Sequence, residues 1–236
     1  MISIKSLASS SAGNCYRIDD GNTALLLEAG ITIKRIKEGL NFRLSEVQGC
    51  LLSHEHGDHS KAIKDILKAG IDVYTSEGTA RALAIQDHHR CKVITAGRIF
   101  KIRSWKIMPF EAIHDAAEPL GFYLVGADEE ALVFLTDSAY CKALFPSINY
   151  MMIECNYSET AIRSRVMSGQ LHPGQHKRIL FNHFGLENII KMLKENDLSK
   201  LKEIHLLHLS NDNSDASEIR RRIAGVAGVP VYIENQ

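Results

Sequence analysis

Short apolar runs separated by polar turns dominate the first part of the chain, a pattern typical of a β-meander. A turn is predicted at residues 19–22, and Gly70 marks the end of a helix. The predicted strands cover residues 2–5, 15–18, 23–27, 49–52 and 72–74. The predicted helices cover about residues 31–40, 58–68 and 77–87.

The middle of the chain is again rich in strands, and the last third alternates strands with helices. Mixed blocks in two similar halves predict an α/β (α+β) fold, with two mixed β-sheets face to face and helices on the outside. No repeat or Pro/Ser-rich linker interrupts the pattern, which favours a single domain over residues 1–236. The predicted strands here cover residues 105–113, 121–125, 131–135, 150–154, 203–209 and 229–233. The predicted helices cover residues 158–168, 186–196 and 215–224.

The composition is ordinary for a soluble globular protein, with 45% hydrophobic and 24% charged residues. No apolar run approaches the length of a membrane span, and residues 1–5 lack the apolar stretch of a signal peptide. The cysteines are scattered, odd in number and never spaced as Cys-x-x-Cys, which predicts free thiols in a reducing cytoplasm. They are Cys15, Cys50, Cys91, Cys141 and Cys155.

Formal net charge is +0, which argues mildly against a nucleic-acid-binding protein. The charge is unevenly distributed along the chain, because no acidic residue stands between Glu159 and Glu187. A strip of basic residues within this segment indicates either a solvated helix face or a track for a phosphate backbone. Its cationic members are Arg163, Arg165, Lys177 and Arg178.

The seven residues after the strand that ends at Leu52 read Ser-His-Glu-His-Gly-Asp-His. Such a cluster after a buried strand indicates a metal site, because histidine is the commonest metal ligand. His54 and His56 stand two residues apart on an extended segment and can share one ion. Gly57 is expected to let the chain turn through a positive φ. Asp58 and His59 then open the next helix and can reach a second ion.

Three later residues each follow an apolar strand, where binding sites of mixed sheets gather. His114 could complete the first ion's ligands, or it could be a structural histidine. Asp137 could bridge two ions through its two oxygens, or it could cap a helix that starts at Ser138. His205 and His208 face opposite sides of one strand, so one of them can reach the centre. We predict that His208 reaches the centre and that His205 is a packed or hydrogen-bonded residue.

The ordered residues His54, His56, Asp58, His59, His114, Asp137 and His208 resemble the motifs of the metallo-β-lactamase superfamily along nearly the whole chain. Further segments resemble its YycJ/WalJ group of small cytoplasmic nuclease-type proteins. These segments are LASSSAGNCY at 7–16, HD at 114–115 before PLGF at 119–122, ECNY at 154–157, and HLSNDN at 208–213. The resemblance implies an αββα sandwich, a site for two divalent metal ions, and 5′→3′ exonuclease activity on DNA.

The chemistry expected of such a site is phosphodiester hydrolysis by a hydroxide that bridges two ions, either zinc or manganese. Asp58 and His183 are the predicted catalytic residues, and His183 could protonate the leaving oxygen or hold the phosphate. The turn with Ser10, Ser11 and Asn14 could hold a terminal phosphate, or it could be a plain polar turn. Arg163, Arg165 and Lys177 are the predicted contacts to the DNA backbone.

Two segments depart from the family pattern. The family usually has Asp-x-Gly after the third strand, but this chain has Glu28-Ala29-Gly30. The longer side chain is expected to shift a contact made behind the metal histidines. The family also tends to have Gly-His-Leu-Ser-Asn in its last third, where this chain keeps only the histidine, His183. A structural role for His183 at the start of a helix therefore stays open.

Other functions remain possible from the sequence. A ribonuclease, a glyoxalase II-like thioesterase or a lactonase would use the same metals on the same scaffold. A metal-binding or DNA-binding protein without catalysis is the alternative from another class, although the complete ligand set exceeds what a structural zinc needs.

Overall fold

A computed structural model of the protein describes residues 1–210 and 213–234. The chain folds into two compact units. Unit 1 comprises Met1–Glu111 and Ala116–Glu130, and unit 2 comprises Ala112–Asp115 and the described residues from Ala131 onward. The assignment of residues 1–236 to a single domain stays a prediction. Asn211 and Asp212, which belong to the HLSNDN motif, lie outside the described residues.

Unit 1 contains a sheet that starts as an antiparallel meander and continues as parallel strands. Its strands are β1 Ser3–Ser10, β2 Gly13–Asp19, β3 Ala24–Leu27, β4 Val47–Leu51, β5 Val73–Thr75 and β6 Cys91–Val93. The pairs β1–β2 and β2–β3 are antiparallel, whereas β3 to β6 pair in parallel. Strand β3 is buried throughout, as expected where both faces of a strand are covered. The first histidine cluster, with His54 and His56, follows the carboxyl end of the parallel strand β4.

Short helices connect these strands and share one hydrophobic core with them. The helices are α1 Ile33–Gly39, α2 Gly57–Ser60, α3 Ile63–Lys68 and α4 Glu77–Ala82. Leu26, Ile36, Cys50 and Ile66 are fully buried in this core, which fixes the helices against the sheet. Unit 1 also contains the antiparallel strands β7 Phe100–Ile102, β8 Trp105–Glu111 and β9 Leu120–Val125.

Unit 2 contains parallel strands whose residues are almost all buried. They are β10 Ala131–Leu135, β11 Tyr150–Glu154, β12 Glu203–Leu207 and β13 Val231–Ile233. They pair in the order β10, β11, β12, β13. The carboxyl ends of parallel strands meet at one edge of a sheet, and polar residues at those ends come together there.

The helices of unit 2 are α5 Glu159–Met167, α6 Pro173–Asn182, α7 Leu186–Glu195 and α8 Ala216–Ala227. Helix α7 follows the predicted amphipathic pattern, with Ile189, Ile190 and Leu193 buried. Helix α8 begins where Asp215 accepts hydrogen bonds from the N–H groups of two residues in its first turn, and it ends at Gly228 with a φ of 69°.

The sequence prediction was wrong about several boundaries. Residues 58–68 form two helices, because the backbone of Ala29 accepts from Ala62 N–H and donates to the His59 carbonyl, which interrupts the helical ladder. The helix predicted over 77–87 ends at Ala82, and Ala84 has a φ of 52°. Gly57 does not take a positive φ; it is the first residue of α2.

The fold class is confirmed, because the strands form two mixed β-sheets and alternate with helices. Helix α6 and strands β6 and β7 were not predicted. In residues 1–210 and 213–234, no helix is long and apolar enough to cross a membrane.

Candidate metal centre

His54 and His56 lie just beyond the end of β4, before α2 begins. Nε2 of His54 lies 3.1 Å from Nδ1 of His56, so the two nitrogens converge. His54 is buried, and its Nδ1 lies 2.8 Å from the hydroxyl oxygen of Ser53, which holds the ring in place. Two converging imidazole nitrogens can share one divalent ion. The structure therefore brings the first predicted pair together.

Asp58 and His59 lie in α2, where Oδ2 of Asp58 is 3.3 Å from Nε2 of His59. The buried His59 donates its Nδ1–H to Oε2 of Glu28 over 3.2 Å. Nε2 of His59 therefore carries the lone pair, and the Asn14 amide nitrogen lies 3.2 Å from it. A histidine whose other nitrogen donates to a carboxylate is in the tautomer and orientation that a metal ligand needs.

Glu28 occupies the position where the sequence departs from the family's aspartate. It is fully buried, and its Oε1 accepts the Ser53 N–H over 3.0 Å while Oε2 accepts from His59. Burial raises the pKa of Glu28, although hydrogen bonds from His59 and Ser53 oppose the rise. The longer side chain thus reaches the predicted metal ligand His59 and the residue after β4, Ser53, at the same time.

Gly30 allows the chain that carries Asp58 to approach closely. A Cβ built at Gly30 would lie 1.6 Å from the carbonyl oxygen of Asp58. Gly30 also donates its N–H to the carbonyl oxygen of Asn14 over 2.8 Å. Only glycine fits between these two segments, so the Gly of the family pattern has a packing reason here.

Asp137 lies two residues beyond the end of β10, in a loop of unit 2 that also approaches His114 and His208. Its Oδ1 is 3.0 Å from Nδ1 of His208, and its Oδ2 is 3.7 Å from Nε2 of His114. His114 donates its Nδ1–H to the carbonyl oxygen of Asn182 over 2.9 Å, so its Nε2 faces Asp137 with a lone pair. The described residues 136–149 form loops, so Asp137 does not cap a helix at Ser138.

Glu154 is a site residue that sequence reasoning missed. It ends the fully buried strand β11, and its Oε1 lies 2.6 Å from Nδ1 of His183 and 3.1 Å from Nδ1 of His208. The ligand atoms of Asp137, Glu154, His183 and His208 all lie within 4.8 Å of one another. The available signal was an acidic residue closing a wholly apolar strand, because a buried carboxylate requires a partner.

The contact between Glu154 and His183 shifts the pKa values of both groups. Burial raises the pKa of Glu154, but the charge and hydrogen bond of His183 outweigh burial and leave it below its usual range. Burial lowers the pKa of His183, but Glu154 outweighs burial and leaves it raised. His183 follows the last residue of α6 and does not start a helix, which corrects the structural alternative from the sequence. The Glu154 carboxylate therefore favours the protonated form of the His183 imidazole.

Three of the site residues have left-handed backbones that the sequence pattern did not indicate. The φ angles are 64° for Glu28, 39° for Asp137 and 52° for His208. Such angles cost on the order of 1–3 kcal/mol in non-glycine residues and concentrate at functional sites. Each follows directly or closely on a buried strand, where it redirects the side chain.

The predicted phosphate-binding turn is only partly open to a ligand. Ser11 is exposed and Ser10 is half-buried in the tight turn between β1 and β2, so their role stays a prediction. Asn14 is fully buried, and its amide contacts His59 and the Asp58 carbonyl instead. Asn14 therefore contacts two of the predicted metal ligands. His205 is bonded to Glu234, as expected of a packed or hydrogen-bonded histidine.

The basic residues of unit 2 do not form one continuous strip. Arg163 is exposed and pairs with Glu159 over 3.1 Å, and Lys177 lies 5.8 Å from the ring centroid of Phe181. Arg165 is half-buried and lines a pocket together with Arg178 and His183. The three side chains that are predicted to contact the DNA backbone thus lie in different surroundings.

Both clusters offer nitrogen and carboxylate oxygen donors without a thiolate, a set that suits zinc or manganese. In each cluster a histidine donates from Nδ1, to Glu28 or to the Asn182 carbonyl, and presents Nε2 as a donor atom. These observations fit divalent metal ions at the predicted ligands.

Comparisons with known proteins agree on the fold. A family model described as a beta-lactamase superfamily domain matches residues 25–206. The metallo-β-lactamase fold protein YhfI from Bacillus subtilis has a TM-score of 0.76 at 14% identity, covering 99% of this chain and 96% of its own. This likeness shows the fold alone.

Two curated relatives are nucleases by name. Exodeoxyribonuclease WalJ of Streptococcus pneumoniae is 28% identical over 231 residues, which is 88% of this chain and 81% of that protein. Exodeoxyribonuclease YycJ of Bacillus anthracis is 26% identical over 235 residues, which is 93% of this chain and 87% of that protein.

Proposed function

This chain belongs to the beta-lactamase superfamily and is a hydrolase of the metallo-β-lactamase fold, and from that premise we propose that it is a metal-dependent phosphodiesterase. The reaction that we propose is hydrolysis of DNA by an exonuclease that acts in the 5′→3′ direction. The names of the two relatives, which match most of this chain, support a DNA substrate. The free cysteines support a reducing cytoplasm as the place of action.

We propose that the predicted ligands hold two divalent ions, zinc or manganese. His54, His56 and His114 would hold one ion, Asp58, His59 and His208 would hold the other, and Asp137 would contribute a ligand oxygen to each. When bound, such ions supply hydroxide at neutral pH and neutralise charge on the non-bridging phosphate oxygens. The positive charge of two divalent ions would also exceed the negative charge of the two ligand carboxylates, and this excess favours an anionic substrate.

The observation that carries the phosphodiester assignment is the contact of 2.6 Å between His183 and Glu154. An alkoxide leaves phosphorus poorly unless it is protonated as it departs, which requires a group that holds a proton at neutral pH. Glu154 raises the pKa of His183 and orients its ring, so His183 can give its proton to the leaving oxygen. Glu28 and Asn14 keep His59 in its ligand orientation throughout. A thioester has no such need, because a thiolate leaves readily.

The test is a substrate panel with the purified protein and added zinc or manganese. It contains 5′-phosphorylated double-stranded DNA, single-stranded DNA, RNA, a glutathione thioester and a β-lactam. We expect mononucleotides to be released from the DNA substrates, with loss of activity in a chelator. Asp137→Ala is the inactive variant, and Asp65→Ala, an exposed change on α3, is its matched control. Turnover of the thioester or the β-lactam alone would contradict the assignment, and turnover of RNA alone would make the protein a ribonuclease.

A further inference from the structure

Glu55 stands between His54 and His56, the first histidine pair, but its side chain is directed elsewhere. On an extended segment, alternate residues point to opposite sides, so two converging imidazoles leave the residue between them facing away. Glu55 is half-buried, and among the described residues it belongs to none of the groups that could hold a metal ion. The proposed hydrolysis gives Glu55 no part, so its role has to follow from its other contacts.

The Glu55 carboxylate joins the histidine segment to two other parts of unit 1. Its Oε1 accepts the N–H of Ala117 over 2.7 Å, and its Oε2 accepts the Thr79 hydroxyl over 3.4 Å. The Glu55 carbonyl oxygen accepts the hydroxyl of Ser60 over 2.8 Å, which ties the same residue to the end of α2. A charged acceptor makes stronger hydrogen bonds than a neutral one. Glu55 therefore connects α2, α4 and the segment that contains Ala117.

That segment, residues 116–119, begins two residues after His114 and is also fastened to the start of α4. Oε2 of Glu118 accepts the Gly78 N–H over 2.7 Å, and the carbonyl oxygen of Glu118 accepts the Ser76 hydroxyl over 2.6 Å. Gly78 leaves room for this contact, because a Cβ built there would lie 2.7 Å from the Cβ of Glu118. Within unit 1, the segment is thus bound twice, once to α4 and once to the histidine segment.

A fixed 116–119 segment restricts the backbone of His114 through the chain. Ala117 is three residues from His114, so their Cα atoms are at most about 11 Å apart. The bond from Nδ1 of His114 to the Asn182 carbonyl orients the ring, whereas the backbone that carries the ring continues directly into the bound segment. A ligand that is already in place loses less conformational freedom when its ion binds. Holding Ala117 therefore favours metal binding by His114.

We propose that Glu55 is a positioning residue, which keeps His114 within reach of the ion that it shares with the first histidine pair. The inference rests on the metal ligands assigned in the proposed function and goes beyond them, because Glu55 is not a ligand. Glu55 acts as the acceptor of the Ala117 N–H, a part that a neutral amide of the same length can also take. The length and the oxygen of the side chain are therefore required, whereas its negative charge is not.

The test measures the affinity of the purified, metal-free protein for Zn²⁺ by competition with a chromophoric chelator. Glu55→Ala should weaken binding by about 10-fold, the worth of a charge-assisted hydrogen bond that orders a ligand segment. Glu55→Gln should bind within about 2-fold of the wild type, because its carbonyl oxygen accepts the Ala117 N–H and its NH₂ group can donate to the Thr79 hydroxyl. Glu38→Ala, an exposed change on α1, is the control and should bind as the wild type does.

A double-mutant cycle with Glu118→Ala tests whether the effect passes through the 116–119 segment. Glu118→Ala alone should also weaken Zn²⁺ binding, so the inference remains testable if Glu55→Ala fails to fold. Because both carboxylates hold one segment, the loss in the double variant should be smaller than the product of the two single losses. Losses that multiply in full, or a Glu118→Ala variant with unchanged affinity, would overturn the inference.

A purely structural role for Glu55 predicts a different pattern. Glu55→Ala would then lower the melting temperature of the metal-free protein and leave the Zn²⁺ affinity of the folded protein unchanged, which would overturn the inference. Equal losses of affinity in Glu55→Ala and Glu55→Gln would overturn it as well, because the charge would then be what matters. These measurements contain no substrate. Failure of the wild type to hydrolyse any nucleic acid would therefore contradict the proposed function instead, and the affinities would still decide the role of Glu55.

Discussion

Oε2 of Glu28 lies 3.2 Å from Nδ1 of His59, and both side chains are fully buried. The contact joins the residue that departs from the family pattern to a predicted metal ligand. Because Oε1 accepts the Ser53 N–H as well, the carboxylate needs both of its oxygens as acceptors. The glutamate therefore takes over the positioning role of the shorter aspartate, from a backbone with a φ of 64°.

Glu28→Gln should weaken metal binding by about 10-fold to 100-fold, the usual effect of losing a partner behind a ligand. The glutamine amide places an NH₂ group against one of two N–H donors, so either His59 or the end of β4 loses its acceptor. Metal affinity measured by competition with a chromophoric chelator checks this. Glu38→Gln, an exposed change on α1, is the control, and unchanged affinity in the Glu28 variant would remove Glu28 from the site.

Gly30→Ala should disrupt the site from the backbone. The added Cβ would lie 1.6 Å from the Asp58 carbonyl oxygen, so α2 has to move and carry its two ligands with it. We expect loss of bound metal and a lower melting temperature. Gly225→Ala, which meets nothing within 4 Å in α8, is the matched control. Full metal content with unchanged melting in the Gly30 variant would show that the close approach is not required.

Glu154→Gln should move the alkaline limb of the pH profile. His183 gives up a proton in the proposed reaction, so activity is retained below its pKa and falls as pH rises through it. Glu154 raises that pKa, and removing its charge therefore shifts the fall to lower pH. The measurement is kcat against pH, with metal content confirmed at each pH and with Glu111→Gln as an exposed control. If the activity of the wild type and of the Glu154→Gln variant falls at the same alkaline pH, His183 paired with Glu154 is not the proton donor.

Asp137→Ala should lower kcat by at least about 100-fold, because a shared ligand to two ions supports several kcal/mol of charge stabilisation. Circular dichroism should show an intact fold, since Asp137 lies in a loop beyond β10. Metal content should fall below that of the wild type. Near-normal turnover with metals still bound would refute the bridging assignment.

The sequence predicted candidate ligands at the ends of apolar strands, and the structure places three of them there. His54 follows β4, Asp137 follows β10 and His208 follows β12 within one to three residues. Glu154 was missed because it is the last residue of such a strand, where the pattern reads as core. Its role depends on a partner, His183, that is distant in sequence.

Helix α6 was missed for a different physical reason. None of its residues is fully buried, and its large apolar residues, Ile179, Leu180 and Phe181, are consecutive, so the sequence shows no helical period of apolar positions. It begins instead at a local signal, the His172 side chain accepting from Gly174 N–H ahead of Pro173. The left-handed backbones at Glu28 and Asp137 could not be predicted either, because surrounding structure imposes them.

An anomalous difference map from manganese-soaked crystals of the wild-type protein tests the central claim most directly. We predict two peaks per chain, one bound by His54, His56 and His114 and the other by Asp58, His59 and His208, with Asp137 bound to both. No peak at these residues, or a single ion held elsewhere, would contradict the two-ion site on which the proposed hydrolysis depends.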